Sequence, residues 1–329
     1  MLILVALGGN ALLRRGEPLS PTSQLANVQA ACRALVPLAE QHRLVVTHGN
    51  GPQVGLLALE TDGNGSFPLD VLGAETEGMI GYLIERELGN LLPLDKELAT
   101  LLTMIEVDGD DPAFASPSKP IGQVYTKADA ERLAAEHGWT VKPDGAGYRR
   151  VVASPTPRRI IEIEPIRILL EHGCVVVCAG GGGIPTIKEA GSTAIFGAPA
   201  VIDKDLASAL LARQLDADVL VMATDVDGVY LNWGTAAQAR IARADPRSLR
   251  ELDFAAGSMG PKIEAACAFA EVPGRTAVIG RLENLSALVE GDEGTRITSA
   301  ADGIELAEAE APGRTDITRP RHGSRPVKA

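Results

Sequence analysis

Three lysines stand where a bare ammonium needs an explanation. Lys204 lies between Asp203 and Asp205 in IDKDLASALLA, at a predicted helix start, and Lys262 follows GSMGP at another, with Pro261 marking the first turn. The first turn of a helix carries partial positive charge, so a cation there costs a few tenths of a kcal/mol, up to about 1. A multiply charged anion between the two ammoniums would remove that cost. For either lysine alone, a solvated side chain or a pair with the adjacent acid is the better account. Lys119, in SPSKPIG, is flanked by prolines whose stiff backbone would aim its ammonium, or it is an ordinary surface lysine.

Three glycine-rich turns follow predicted strands: LGGNAL with Gly8, Gly9 and Asn10; HGNGPQVG with Gly49, Asn50 and Gly51; and AGGGGIP with Gly180 to Gly183. Backbone N–H groups approach an anion closely where no Cβ intervenes, and in a parallel α/β sheet the turns after the strands gather at one edge, where ligands bind. Any one turn has a purely conformational explanation. Three of them, with two lysines at helix starts, favour a multiply charged anion held between them.

Other site types fit less well. Gly49, Gly51 and Gly55 match a G-x-G-x-x-x-G dinucleotide variant, but Asp70, in FPLD, follows no strand that would aim it at a ribose. The P-loop pattern and the protein-kinase catalytic-loop and D-F-G signatures are absent. Asp225 and Asp227, in ATDVDGVYLNWG, suit a metal, a turn, or hydrogen bonds to nucleotide or lysine, and the sequence leaves these open. His48 has no serine or cysteine nucleophile beside it and reads as a packing or positioning residue rather than part of a triad.

The elements that must position these groups are short apolar runs alternating with helix-period segments. LILVAL, RLVVTH, LLTMIEV, CVVVC, VLVMATD and TAVIG read as strands, and TRITS as an edge strand. Helices are predicted over Ser23 to Ala39, around DVLGAETEGMIGYLIEREL, over IEPIRILLEHG, and from Asp205 and Pro261. Apolar strands without alternation, separated by helices, give a three-layer αβα sandwich around a mainly parallel sheet. From Asp108 to Pro157 the rhythm breaks into a stretch rich in proline, glycine and charge with one helix, Lys127 to His137, which reads as a protruding lid subdomain. The tail from 311 to 329 is almost free of apolar residues and is predicted to be disordered.

The formal charge of −12, from 31 basic and 43 acidic residues, argues against nucleic acid or an acidic membrane face as partner. An anionic ligand must meet locally placed cations. The four cysteines, Cys32, Cys174, Cys178 and Cys267, are scattered without zinc spacing and read as buried reduced thiols of a cytoplasmic protein, Cys174 and Cys178 flanking a core strand. The apolar start lacks a basic n-region and stops at Gly8, unlike a signal peptide, and no run is long enough to span a bilayer.

Taken in order, ALGGNAL, HGNGPQVG, PLDVLGAETEGMIGY, SKPIGQVY, YRRVVASPTP, GGGGIP, VIDKDLASALLA, TDVDGVYLN and GSMGPKIEAACAF resemble the carbamate kinases of the amino-acid kinase superfamily, over roughly residues 3 to 299. HGNGPQVG, the KPIG segment and GSMGPK in this order are specific to that family. The resemblance implies an amino-acid-kinase fold with about eight strands, a lid over the site and a homodimer. It implies one domain over residues 1–310, with an acceptor-side lobe of about 1–175 carrying a lid of about 110–157, and a nucleotide-side lobe of about 176–310.

It also implies reversible phosphoryl transfer between ATP and carbamate, giving ADP and carbamoyl phosphate, with Mg²⁺ bound through the ATP phosphates. The direction it implies is towards ATP, in arginine or related nitrogen catabolism. Carried over by position, Gly8, Gly9 and Asn10 would line the phosphates, and Gly49, Asn50 and Gly51 would hold carbamate. Lys204 and Lys262 would contact the transferred phosphoryl and the ATP phosphates, with Asp205 holding them in place. Lys119 would reach the γ-phosphate from the lid. Thr224, Asp225, Val226 and Tyr230, with Met259 and Pro261, would border the nucleotide. Gln123 stands where the family often has proline.

Carbamate is already an anionic nucleophile, so the catalyst must supply positive charge along an in-line transfer rather than a base. The nearest rival is another kinase of the superfamily; the short HGNG pocket and the lack of an aspartate-kinase-like regulatory domain favour a very small acceptor. A nucleotide-binding regulator without catalysis would have little use for the lysines. A Rossmann enzyme lacks the ribose acid.

Overall fold

LILVAL is apolar at every position because both of its faces are covered. The computed structural model describes every residue except 13–16, 18–19, 61–66, 190, 255–258 and 308–329, so the tail predicted to be disordered lies outside the described residues. The chain opens with β1 (Leu2–Leu7), α1 (Gly9–Leu12), α2 (Pro21–Gln41), β2 (Arg43–His48), α3 (Gly51–Glu60) and α4 (Leu69–Gly89). Ser20 caps α2 by accepting the Ser23 N–H, and Pro21 occupies the first turn, where its missing N–H is harmless. Two short strands follow, β3 (Leu98–Thr100) and β4 (Met104–Val107).

Next come β5 (Lys119–Tyr125), α5 (Lys127–His137), β6 (Thr140–Asp144) and β7 (Gly147–Val152). Then β8 (Pro157–Ile160), α6 (Ile163–Glu171), β9 (Val175–Val177), β10 (Ile184–Lys188) and β11 (Ile195–Gly197) lead to α7 (Lys204–Gln214). The remainder is β12 (Val219–Thr224), β13 (Val229–Leu231), β14 (Ala239–Ala244), α8 (Pro246–Arg250), α9 (Met259–Ala270), β15 (Thr276–Arg281), α10 (Leu285–Glu290), β16 (Thr295–Ile297) and β17 (Ile304–Leu306).

The main sheet has the order β13-β14-β16-β15-β12-β1-β2-β9-β3, with β17 on β14. Its centre, from β15 through β3, is parallel. Side-chain alternation divides it between two cores. Leu4, Ala6, Val45, Leu220 and Met222 pack against Ala207 and Leu211 of α7 and Ile263 and Phe269 of α9. Ile3, Val5, Val46 and Val221 pack against Val28 and Leu35 of α2, Ile80 and Ile84 of α4, and Leu288 of α10. Each fully buried branched side chain contributes roughly 1.5–3 kcal/mol, and this double coverage makes the αβα sandwich.

Four details depart from the sequence reading. Among the described residues the main sheet has ten strands rather than about eight. LLTMIEV is strand only from Met104, as β4 of the sheet β11-β10-β4-β8; Leu101 to Thr103 connect it to β3, which precedes the run and ends the main sheet. TRITS supplies β16, which lies inside the sheet between β15 and β14, since β17 and β13 take the outer positions. Cys32, Cys178 and Cys267 are buried and free, whereas Cys174 is only partly buried.

Residues 119–152 form the antiparallel sheet β5-β7-β6 with α5 alongside. This unit meets the main body where α3 crosses β5. A Cβ added at Gly55 would fall 2.1 Å from the Gly122 Cα, so the two backbones touch, and Gly122 itself has φ +72°.

Candidate active site

Parallel pairing brings the strand ends to one edge. Leu7 at the end of β1 is level with His48 of β2 and Ala223 of β12, and Val46 is level with Val177 of β9. The chain therefore leaves the sheet into Gly8–Gly9, Gly49–Gly51, Thr224–Asp225 and Gly180–Gly183 on the same side. β1 lies between β2, reached through α2 on one face of the sheet, and β12, reached through α7 on the other, and ligands bind at such crevices in open α/β sheets.

Close approach explains the glycines. Gly8 donates its N–H to the Ala223 carbonyl at 3.0 Å, and a Cβ on Gly8 would lie 2.8 Å from that oxygen. A Cβ on Gly49 would lie 3.4 Å from the Gly9 backbone and 3.9 Å from Cδ of Lys204. Gly181, Gly182 and Gly183 have φ of +68°, +99° and +77°, and a Cβ on Gly181 would fall 2.0 Å from Nδ2 of Asn50. The three predicted turns thus meet, with the Asn50 carboxamide between two of them. Asn10 lies in α1, directly after Gly9.

The lysines converge through two aspartates. Asp203 caps α7: its Oδ1 accepts the N–H groups of Asp205 and Leu206, at 2.9 and 3.3 Å, and its Oδ2 accepts the Lys119 ammonium from β5. Asp205 accepts Lys204 Nζ on Oδ1 and Lys262 Nζ on Oδ2, each at 2.7 Å. Lys204 is buried. Burial, and then Lys262, lower its pKa, while the Asp205 carboxylate opposes them. Burial alone would raise the Asp205 carboxyl, but the two ammoniums hold it well below the usual carboxylate range. Three ammoniums against two carboxylates leave a surplus of positive charge beside the glycine turns.

Hydroxyls fix the start of α7 further. Ser208 Oγ donates to the Lys204 carbonyl at 2.7 Å, which commits its proton, so the Thr47 hydroxyl, 2.7 Å away, donates to Ser208. β2 is thereby tied to the helix that carries Lys204.

On the other side of the crevice, Thr224 Oγ1 donates to Asp225 at 3.2 Å, and Val226 and Asp227 complete the turn into β13. The Tyr230 hydroxyl donates to both oxygens of Asp227, at 3.0 and 2.9 Å. Asp227 is thus engaged as a turn acid, and among the described residues no cluster of three or more acidic, histidine or cysteine side chains could hold a metal. Met259 and Pro261 are in the first turn of α9, with Lys262 following. Asp70, at the start of α4, lies against Gly197 of β11.

Beneath the turns lies a polar layer in which sequence reasoning gave His48 a packing or positioning role and left Glu77 and Thr76 without one. The His48 ring is fully buried and bonded through Nδ1 to the Gly49 carbonyl at 3.1 Å; burial lowers its pKa to about 4. It is a neutral positioning group, not a base. Glu77 accepts the N–H of Gly180 at 2.8 Å and of Thr103 at 3.2 Å, and burial raises its pKa to about 8 against those bonds. Thr76 accepts Asn50 Nδ2 at 2.8 Å. A signal was present: Leu72, Thr76, Ile80 and Ile84 recur every fourth residue, so Thr76 is a hydroxyl on an apolar stripe. Asp203 was equally legible as a helix cap, but its bond to Lys119 spans 84 residues.

Comparison with known proteins agrees with this geometry. Residues 1–281 match the family model described as the amino acid kinase family. A carbamate kinase of Rhizobium meliloti (strain 1021) is 52% identical over 331 residues, covering 99% of this chain and 100% of that protein. A carbamate kinase of Haemophilus influenzae is 55% identical over 308 residues, covering 92% and 99%. The solved carbamate kinase from Giardia lamblia bound to AMP-PNP superposes with a TM-score of 0.81 at 36% identity, covering 90% of this chain and 98% of that one.

Proposed function

The chain belongs to the amino acid kinase family and, within it, to the carbamate kinases, and from this we propose how its crevice moves a phosphoryl group between ATP and carbamate. The observation that carries the mechanism is the Asp205 carboxylate, which holds Lys204 and Lys262 side by side at a helix start next to Gly49.

In the direction we favour, towards ATP, a β-phosphate oxygen of ADP attacks the phosphorus of carbamoyl phosphate. The bond from phosphorus to the carbamate oxygen breaks, and carbamate leaves as a resonance-stabilised anion. No proton moves, so no general base is needed. Charge spreads over the phosphoryl oxygens, and Lys204 and Lys262 are fixed in advance to meet it. Lys119 closes the third side from the lid. Gly8, Gly9 and Asn10 line the nucleotide phosphates; Gly49, Asn50 and Gly51 hold the acceptor; and Thr224, Asp225, Val226, Tyr230, Met259 and Pro261 border the nucleotide. In this scheme residues of about 1–175 form the acceptor side with the lid at about 110–157, and those of about 176–310 the nucleotide side.

AMP-PNP in the Giardia relative supports a nucleotide in the same crevice. The donor set of the described residues fits an ion held by substrate phosphates and water rather than by a protein cage. When bound there, Mg²⁺ supplies charge neutralisation on the polyphosphate. No helix among the described residues is long and apolar enough to cross a membrane, and we place the enzyme in the cytoplasm. For the homodimer, support comes from exposed apolar side chains on or beside α4: Met79, Tyr82, Leu102, which lies beside Gly78, and Phe196, whose neighbour Gly197 lies against Asp70.

Purified protein with ADP, Mg²⁺ and carbamoyl phosphate should form ATP. Absence of ATP where ADP demonstrably binds would sink the assignment.

A further inference from the structure

Resting on the reading of Asn50 as part of the acceptor pocket, we infer that Thr76 of α4 makes the reaction specific for an amino-bearing acceptor by fixing which way the Asn50 carboxamide faces. A hydroxyl has one proton. Thr76 Oγ1 lies 2.9 Å from the Gly73 carbonyl and 3.1 Å from the Leu72 carbonyl, so that proton goes to the helix backbone. The hydroxyl can then only accept. The Asn50 atom 2.8 Å from it is therefore the amide nitrogen, because the reversed amide would set two acceptors against each other.

The opposite end of the amide is its oxygen. Gly181 covers the amide: a Cβ there would fall 2.0, 2.2 and 2.4 Å from Nδ2, Cγ and Oδ1. Among the described residues no hydrogen bond to Oδ1 is made, although Asn50 is only 5% exposed. Since the carboxamide sits between the Gly49–Gly51 and Gly180–Gly183 turns, Oδ1 is the atom that faces the crevice.

A hydrogen-bond acceptor at that place matches an amino group. In carbamate and in carbamoyl phosphate the nitrogen lone pair is delocalised into the carbonyl, so the NH₂ donates and does not accept. Acetate and acetyl phosphate have the same shape with a methyl in that position, and would leave Oδ1 buried and unpaired. Thr76 touches neither substrate. It acts through Asn50 and is a positioning residue.

The test uses the full-length enzyme with ADP and Mg²⁺, and compares kcat/KM for ATP formation from carbamoyl phosphate and from acetyl phosphate. Wild type should favour carbamoyl phosphate. Thr76→Val, which keeps the shape and removes the hydroxyl, should lower that preference by roughly tenfold while leaving the KM for ADP unchanged. Thr76→Ser should retain the wild-type ratio, and Thr76→Ala reads the same loss should the valine variant fail to fold. Equal losses on both phosphoryl donors in the valine or alanine variant would overturn the proposal, as would a wild type that does not discriminate. A wild type that forms no ATP from carbamoyl phosphate would overturn the parent activity as well, an outcome visible without any variant.

Discussion

Asp205 takes the ammonium of Lys204 on one oxygen and that of Lys262 on the other, both at 2.7 Å, in a place where the carboxylate side chain is only 7% exposed. Two cations in so dry a site would repel each other, and the carboxylate keeps both aimed at one volume. Asp205→Asn should therefore lower kcat by about 10²–10³-fold with little change in ADP affinity. It should also lower the melting temperature, because breaking a buried pair leaves Lys204 without its anion at a cost of about 3–5 kcal/mol. Steady-state kinetics with thermal melts check both parts, and wild-type turnover in the variant would refute the first.

Lys262 is the less buried of the two partners of Asp205. Lys262→Ala should depress turnover by about 10²-fold or more while the nucleotide dissociation constant moves only a few-fold. Calorimetric titration with ADP beside kcat separates the two quantities. A comparable fall in both would make Lys262 a nucleotide anchor instead.

Two glycines on opposite sides of the crevice should give opposite kinetic signatures. Gly8→Ala puts a methyl 2.8 Å from the Ala223 carbonyl oxygen and shifts the turn proposed to line the phosphates; Gly181→Ala puts one 2.0 Å from the Asn50 amide at a φ of +68°. The first should raise the KM for ADP, and the second the KM for carbamoyl phosphate, each by roughly tenfold. The reverse pattern would exchange the two sides of the site.

Glu77 and His48 give the stability a pH dependence whose parts have opposite sign. Burial raises Glu77 from 4.5 to about 8, so between these values the folded protein holds a proton that the unfolded chain has released, and stability falls as pH rises through that window. Burial lowers His48 from 6.5 to about 4, so its contribution is lost as pH falls through that window. Above pH 6.5 the Glu77 slope stands alone of the two. Glu77→Gln should show a flatter Tm between pH 6.5 and 8 than wild type, even though its amide cannot accept both N–H bonds. Parallel curves would exclude the Glu77 proton.

The exposed Tyr82 ring lies under the Arg86 guanidinium, 5.4 Å from it, on the α4 face proposed to pair. Sedimentation velocity should find a dimer for wild type and a monomer for Tyr82→Asp. An unchanged dimer would place the interface elsewhere.

The parts of the site that follow from local chemistry were legible in the sequence. The glycine turns, the helix starts at Lys204 and Lys262 and the lid helix Lys127–His137 each rest on residues close in the chain. What stayed hidden depends on register and long-range approach. TRITS looks like an edge because it is short and half polar, yet its place between β15 and β14 is decided by two strands elsewhere in the chain. LLTMIEV reads as one strand because it is apolar from Leu101, yet Leu101 to Thr103 only connect β3 of the main sheet to β4 of a second sheet. The pairing of Lys119 with Asp203 joins segments that no periodicity connects.

The bare contact of Gly55 with Gly122 would give the proposed lid a fulcrum. Lys119 is three residues from it, roughly 10 Å along the strand, whereas α5 and β6 lie beyond the far end of β5. Any rocking about that point swings the long arm widely and the lysine little. If the unit serves as the proposed lid, its outer part would admit substrates while the Lys119 ammonium kept its aim.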